Sequence, residues 1–511
     1  MKPRRWTRWL TYFALAVLLL IGLLLARALY AFRDRNPGYS VNLAISDVPA
    51  RAQPRPLRVG LARHTINPDL SDPKRPVWVA GFGQNRAATA LHDDLWAIAA
   101  VLDDGHTRLG IAVLDAIGMF HDDVVAIRRA LPPELKLDYV IVCTTHNHST
   151  PDLMGMWGPS PFRSGVDPAY RQQVLQTTAR CLTEAATGLQ PARMALFEIP
   201  MFTDGLVADT RPPIVFDPDI RVMLFLNATN DTVLGSIVGW ANHPETPWSN
   251  NREITADFCG YLRDALAEGV ILDGKRVLEG VGGVHLYING AIGGLMTTHP
   301  ATVVRDPFSG QELKEPSHAK ARAVGWHLAA RIRPHLGEAP ARAVAHAPIA
   351  IQARTVEVPL DNPRFLAASL LGLFDRGHSR WMRLRTEVAV ITVGDASIAC
   401  VPGEIYPEII NGGVERPAGA DFDIEPIEVP PLRQLMPGRV KFVFGLANDE
   451  LGYLIPKSQW DEKPPHPYGA SRSPYGEINS VGPDAAATLH AALAQLCREI
   501  TGAQTTAVSS R

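Results

Sequence analysis

The chain has 511 residues, 46% of them hydrophobic and 20% charged, a length that buries a large core and a balance typical of a globular protein. A formal net charge of −2 and the lack of a long basic stripe in the body argue against a nucleic-acid partner. The five cysteines (Cys143, Cys181, Cys259, Cys400 and Cys497) are scattered without a CxxC pair, which argues against both a disulfide framework and a cysteine zinc site.

Lys2, Arg4, Arg5 and Arg8 precede an uncharged apolar run from Leu10 to Ala26, which Arg27 closes. The run lies at the short end of what spans a bilayer, and its basic flank favours a cytoplasmic N-terminus. Residues 1–32 are therefore expected to be a basic stub and a transmembrane signal anchor, with the body extracytoplasmic. The alternative is secretion after cleavage, since Ala26-Arg27-Ala28 has the small-x-small form of a signal-peptidase site. Residues 33–56, with Asn36-Pro37-Gly38, Pro54 and Pro56, read as a polar tether. Residues 57–511 form the body.

A short strand at Leu57 to Leu61 opens the body. Strand patterns follow at Trp96 to Leu102 and Leu109 to Leu114, then a helix at Val124 to Leu131. Tyr139 begins a β-branched run that breaks into Thr145-His146-Asn147-His148-Ser149-Thr150-Pro151. If strand geometry persists to His148, the period of two sets His146 and His148 on one face. Polar side chains at the carboxyl end of an apolar strand are where open α/β sheets put their sites. Asp167-Pro168 starts a helix over Ala169 to Thr187, which Gly188 stops. Strands are expected at Met194 to Ile199, Arg221 to Leu226, Leu234 to Trp240 and Val284 to Ile288, with helices at Phe258 to Ala267 and Ala319 to His335. Alternation resumes over Val344 to Val358 and Thr386 to Val401, and Val440 to Leu446 and the helix Ala485 to Ile500 complete the body. The mixture predicts an α/β (mixed α+β) fold of layered β-sheets covered by helices.

One pattern recurs: an apolar strand ends in a polar, metal-competent side chain. It occurs at His146 and His148, at His243, at Asn289, at Glu404 and just before Tyr453. Their wide separation excludes a local motif such as HExxH, but two imidazoles and a carboxylate are a standard catalytic zinc set. Plainer readings stand beside this one. His243 alone would serve as a hydrogen-bonded structural histidine, Glu404 as a turn residue, Tyr453 as a packed aromatic and Arg211 as a surface partner of Asp209.

Thr145 to Pro151 resembles the THTHSGP segment of the neutral/alkaline, non-lysosomal ceramidase family. Further segments between residue 57 and about 495 resemble that family in the same order. Leu57 to Pro68 is similar to its opening strand and turn, Leu91 to Ala97 to its His-Asp strand entry, and Asp209 to Pro213 to its N-R-S-P turn. Trp240 to Pro244 with Ala256 to Tyr261 resembles its FAVHPTS…GDNKGY. Val401 to Glu404 resembles its PGE. Asn448 to Tyr453 with Tyr475 to Pro483 resembles its tyrosine-bearing loop.

The resemblance implies a zinc ion held by His146, His243, Glu404 and Tyr453. It implies His148 as the proton shuttle to the leaving amine, and Arg211 and Tyr475 as binders of carbonyl or headgroup oxygens. The implied activity is zinc-dependent hydrolysis of a lipid or small-molecule amide, with N-acylsphingosine (ceramide) as one option. A zinc esterase or lactonase, and a non-catalytic ligand-binding relative, are the alternatives. Two departures stand out. Ile288-Asn289-Gly290 replaces the opening of the family's Ser-Asn-x-Gly-Asp, so its serine is missing and a reshaped pocket wall is expected. The family's C-terminal immunoglobulin-like domain also has no counterpart. A deep apolar slot above the metal would suit ceramide, and a shallow polar bowl would not.

Overall fold

The computed structural model describes residues 4–203 and 205–509, so Lys2 of the basic flank lies outside the described residues. Its principal strands are β1 (Asn42–Ile45), β2 (Arg58–Thr65), β3 (Trp96–Asp103), β4 (Arg108–Leu114), β5 (Tyr139–Thr144), β6 (Gln190–Ile199) and β7 (Ile220–Asn227). The later ones are β8 (Val233–Trp240), β9 (Val284–Asn289), β10 (Ile349–Pro359), β11 (Arg383–Val393), β12 (Ala396–Cys400) and β13 (Val440–Phe444). They form an eight-stranded sheet in the order β9-β8-β7-β6-β2-β3-β4-β5 and a five-stranded sheet in the order β1-β10-β11-β12-β13. Three neighbouring pairs run parallel: β4 with β5, β8 with β9 and β12 with β13.

Period-two alternation places the core. In β6, Ala192, Met194 and Leu196 join the cluster between the two sheets, while Ala195, Phe197 and Ile199 join the cluster under the helices. β7 repeats this with Met223 and Phe225 on one face and Val222, Leu224 and Leu226 on the other. Across the gap the second sheet contributes Ile351, Ile391, Ile398 and Phe442.

The main helices are α1 (Arg4–Ala31), α2 (His121–Ala130), α3 (Pro168–Thr187), α4 (Asp257–Ala267), α5 (His318–Arg342) and α6 (Ala485–Ser509). α3 covers the outer face of β2 to β5 through Val174 and Leu182. α4 and α5 cover β6 to β9, and Leu489 and Leu493 of α6 cover the second sheet. The result is a helix–sheet–sheet–helix stack in which each sheet buries both faces.

Helix starts follow local chemistry. The Asp167 carboxylate accepts the Ala169 N–H at 2.9 Å with Pro168 in the first turn of α3. α2 begins at His121, ahead of the expected Val124, and carries Asp122 and Asp123 in its first turn, where the helix dipole favours them. Two expectations change. The strand expected from Val344 begins at Ile349, because Val344 bridges to Met194 instead. Within the stretch read as a tether, residues 42–45 form β1 and pair along β10 from Asn42 with Arg354 to Ile45 with Ile351. The N-terminal helix holds a 24-residue segment, Arg8–Ala31, apolar enough to cross a membrane or to act as a signal sequence.

Candidate metal centre

The parallel pairing sets the site. β5, β8, β12 and β13 each have a parallel neighbour, and the segments leaving their carboxyl ends meet at one edge of the two sheets. His146 follows β5, His243 follows β8, Glu404 follows β12 and Tyr453 follows β13. Glu404–Ile405 and Tyr453–Leu454 form a short parallel ladder of their own, with Glu404 and Tyr453 as register partners. Asn289, at the end of β9, ties two of these ends together. Its Nδ2 donates to the Thr145 carbonyl at 3.0 Å and the Asn242 carbonyl at 3.1 Å, and its Oδ1 accepts the Asn242 N–H at 3.2 Å. The residues immediately before His146 and His243 are thus held by one side-chain amide.

The two-residue periodicity does not bring His146 and His148 together. β5 stops at Thr144, and His146 adopts a left-handed backbone with φ of 64°. The turn leaves the ring centroids of His146 and His148 4.9 Å apart, and those of His146 and His243 5.0 Å apart. Pairing beyond the strand replaces the ladder: Asn147 N–H donates to Ala116 O at 3.1 Å and His148 N–H to Pro244 O at 3.0 Å. A non-glycine residue in this region is a local strain typical of functional sites.

His146, His148 and His243 are all buried, and each offers a ring nitrogen within 4.8 Å of the others. The tautomers of two of them follow from their partners. His146 Nδ1 donates to Ile117 O at 2.7 Å and His243 Nδ1 to Met296 O at 2.6 Å, because a carbonyl only accepts. In the neutral rings both Nε2 atoms then carry lone pairs, aimed at the same oxygen. Glu404 Oε2 lies 3.0 Å from His243 Nε2 and 3.4 Å from His146 Nε2. Converging lone pairs on a buried carboxylate require a proton or a cation between them. Imidazoles fixed through Nδ1 to backbone carbonyls are also the arrangement that orients metal ligands. The donor set therefore fits a metal ion.

The electrostatics agree. Burial opposes charge on Glu404, but the neighbouring His146 and His243 hold its carboxyl well below the usual range. Burial pulls His148 down to about 4 even though Glu245 Oε2 lies 3.1 Å from its Nδ1, so the ring is neutral near pH 7. Burial, reinforced by Glu404, raises the Tyr453 phenol; a bound cation acts in the opposite direction. The Tyr453 ring lies 6.5 Å from that of His243 and 6.1 Å from that of Tyr475.

Above these groups lies a cavity whose wall is largely apolar, with Phe120, Met154, Trp157, Phe365, Phe374 and Leu384 among its lining. His146, His148, Glu404, Tyr453 and Tyr475 also line it. Tyr475 is 52% exposed. Arg211 is elsewhere. Its guanidinium is buried and pairs with Glu477 through two bonds of 2.6 and 2.7 Å, and it donates to Tyr406 Oη at 3.0 Å and Gln459 O at 2.9 Å. Every one of these partners is a protein group, and Arg211 is absent from the cavity lining. Asp209 accepts the backbone N–H groups of Arg211 and Val215, each at 3.1 Å. Ile288 is fully buried in the core between the sheets, and the glycine-rich segment after it does not line the cavity either. A Cβ at Gly293 would sit 2.3 Å from the Tyr406 ring, so that segment packs beneath Tyr406.

Two acidic residues join the site that no spacing singled out. Glu245 pairs with His148. Glu450 lines the cavity, accepts the Gly452 N–H at 2.8 Å through Oε1 and leaves Oε2 buried without a partner. Burial and then Glu404 raise its carboxyl well above the usual range. Each lies within a few residues of an expected ligand, which was the available signal.

No protein-family model and no curated protein sequence matches the chain. Among solved structures, neutral ceramidase from Pseudomonas aeruginosa is similar, with a TM-score of 0.63 at 16% identity over 88% of this chain and 75% of that one. A second, described as ceramidase complexed with C2, has a TM-score of 0.61 at 15% identity over 88% of this chain and 76% of that one. At these identities the likeness is one of fold: the chain has a ceramidase-like fold and carries a buried histidine group able to hold a metal ion.

Proposed function

We propose that the chain is a zinc-dependent amidohydrolase that cleaves a long-chain N-acyl lipid, with N-acylsphingosine as its first candidate substrate. In this reading His146, His243, Glu404 and Tyr453 hold the zinc, and α1 anchors an extracytoplasmic body. The observation that carries the reading is the convergence of two oriented imidazoles on one carboxylate oxygen beneath an apolar slot. A zinc ion there supplies Lewis-acid polarisation of a carbonyl and a more acidic water.

The chain's own residues do the rest. The apolar wall takes an alkyl chain and keeps bulk water from the reacting carbonyl. His148, neutral near pH 7, accepts a proton at a ring nitrogen and returns it to the leaving amine. The Tyr475 hydroxyl, on the cavity wall, donates to the carbonyl oxygen as negative charge develops there. Arg211 acts at one remove: its pairing with Glu477 fixes the turn Tyr475–Ile478 that presents Tyr475.

The test is a substrate panel with purified full chain in detergent: a long-chain N-acyl amide, a short-chain one and a matched ester, with chelator and after zinc is restored. Amide cleavage that chelator abolishes and zinc restores is the expected result. Cleavage of the ester alone, or binding without turnover, overturns the proposal in favour of an esterase or a binding protein.

His148 is also held by packing. A Cβ at Gly81, where φ is +105°, would lie 2.4 Å from His148 Cβ and 2.7 Å from its Nδ1. Gly81→Ala is expected to displace the ring and lower kcat by about 100-fold, with zinc content unchanged by metal analysis.

A further inference from the structure

The apolar helix leaves the body at a definite place. It is exposed from Arg8 to Ala26, but Ala31 and Phe32 at its end are buried. The Phe32 ring packs edge-on against His378 and Trp381, each at 4.9 Å. Arg27 Nε donates to Leu370 O at 2.6 Å, and Arg385 pairs with Asp34 at 2.6 Å to hold the chain that follows. Arg27 is the first charge after the apolar run. The level at which that run ends therefore coincides with the carboxyl end of the short helix Pro363–Leu371.

This short helix has two uses for its apolar residues. Phe365 and Ser369 line the slot above the metal centre. Leu370 and Leu371 point away from the core and are 37% and 56% exposed. Arg27, bonded to Leu370, also lies 5.7 Å over the ring of Tyr30, which is 56% exposed. Trp381, packed on Phe32, is 53% exposed, and the Arg33 guanidinium lies 3.7 Å over the Tyr30 ring. Exposed leucines beside a tryptophan, a tyrosine and arginines, at the point where an apolar helix ends, have the composition of a membrane–water interface. Such a face is at home where acyl chains meet anionic headgroups.

We propose that Tyr30, Leu370, Leu371 and Trp381 form a membrane-docking face that seats one wall of the slot in the bilayer surface. The long-chain amide then enters from the membrane and not from water. The inference rests on the anchored amidohydrolase reading above and adds the route and the physical state of the substrate. A partner of this kind satisfies the exposed leucines and the arginines together, because both chemistries meet only at a lipid surface.

The test uses the full chain in vesicles of phosphatidylcholine with a minority of phosphatidylglycerol. Cys143, Cys181, Cys259, Cys400 and Cys497 are all buried, so a nitroxide placed through Leu371→Cys reports that position. Ile271→Cys, at a 60% exposed residue on the hairpin Gly269–Glu279, gives the reference. The label at 371 is expected to be shielded from a water-soluble nickel relaxant and open to oxygen, with the label at 271 the reverse. Equal nickel access at both positions overturns the proposal, as does spin–spin coupling showing that a second copy covers the face. A chain that does not float with the vesicles overturns the anchor, and the proposal with it.

A second arm reads turnover. In Leu370→Glu with Leu371→Glu, cleavage of a short soluble amide stays within about twofold, while cleavage of the long-chain amide embedded in vesicles falls at least ~10-fold. Equal loss on both substrates overturns the route. If the wild type cleaves neither, the hydrolase reading fails, and the label depth alone decides whether the face docks.

Discussion

His146→Ala and His243→Ala are each expected to lose the metal: zinc measured by mass spectrometry on the purified chain should fall from about one equivalent to near zero, and hydrolysis with it by more than ~100-fold. Under the proposed assignment, few groups would hold the ion, and they are rigidly placed. Each imidazole is bonded through Nδ1 to a backbone carbonyl, Ile117 or Met296, and turns Nε2 toward Glu404. Removing one leaves the Glu404 carboxylate buried with half its compensation. Asn289 holds the backbone before both histidines, so the remaining ring keeps its place when the other is removed. Circular dichroism should stay unchanged, which separates loss of metal from loss of fold. Unchanged zinc in both variants would sink the metal assignment.

Arg211→Met destabilises the protein by about 3–5 kcal/mol in urea denaturation, because it strands the Glu477 carboxylate in the interior. The side chains of Arg211 and Glu477 are 6% and 0% exposed, and their bonds of 2.6 and 2.7 Å are bidentate. Arg211→Met combined with Glu477→Gln should recover much of the loss, since it removes the orphaned charge along with the pair. A substrate-binding arginine would behave otherwise, keeping stability within about 0.5 kcal/mol and lowering kcat/KM alone. That pattern would restore Arg211 to direct contact with the substrate.

Much of this architecture is legible in the sequence. β3, β4, β6, β7 and β8 lie within a few residues of their expected positions, because side-chain period and burial on two faces are local properties. The start of α3 is legible for the same reason, as Asp167-Pro168 carries its own capping chemistry. β1 was hidden, since a four-residue edge strand gains its hydrogen bonds only from β10, more than three hundred positions away. The site divides along similar lines. His146, His148, His243 and Glu404 stand out as polar residues closing apolar strands, and the structure brings all four together. Glu245 and Glu450 carry no pattern of their own, and an acidic residue in a loop is ordinarily solvated.

The alternating strands, the helices that cover them and the histidines placed at strand ends can be read from the residues alone, because each depends on neighbours along the chain. Long-range packing, by contrast, set a left-handed turn at His146, and no continuing strand, to aim its ring. It also decided that Arg211 faces Glu477 and not Asp209, and that an apolar slot stands over the histidines beside the end of α1. Those features arise between segments hundreds of residues apart, and sheet register and burial set their distances. No local period carries that information.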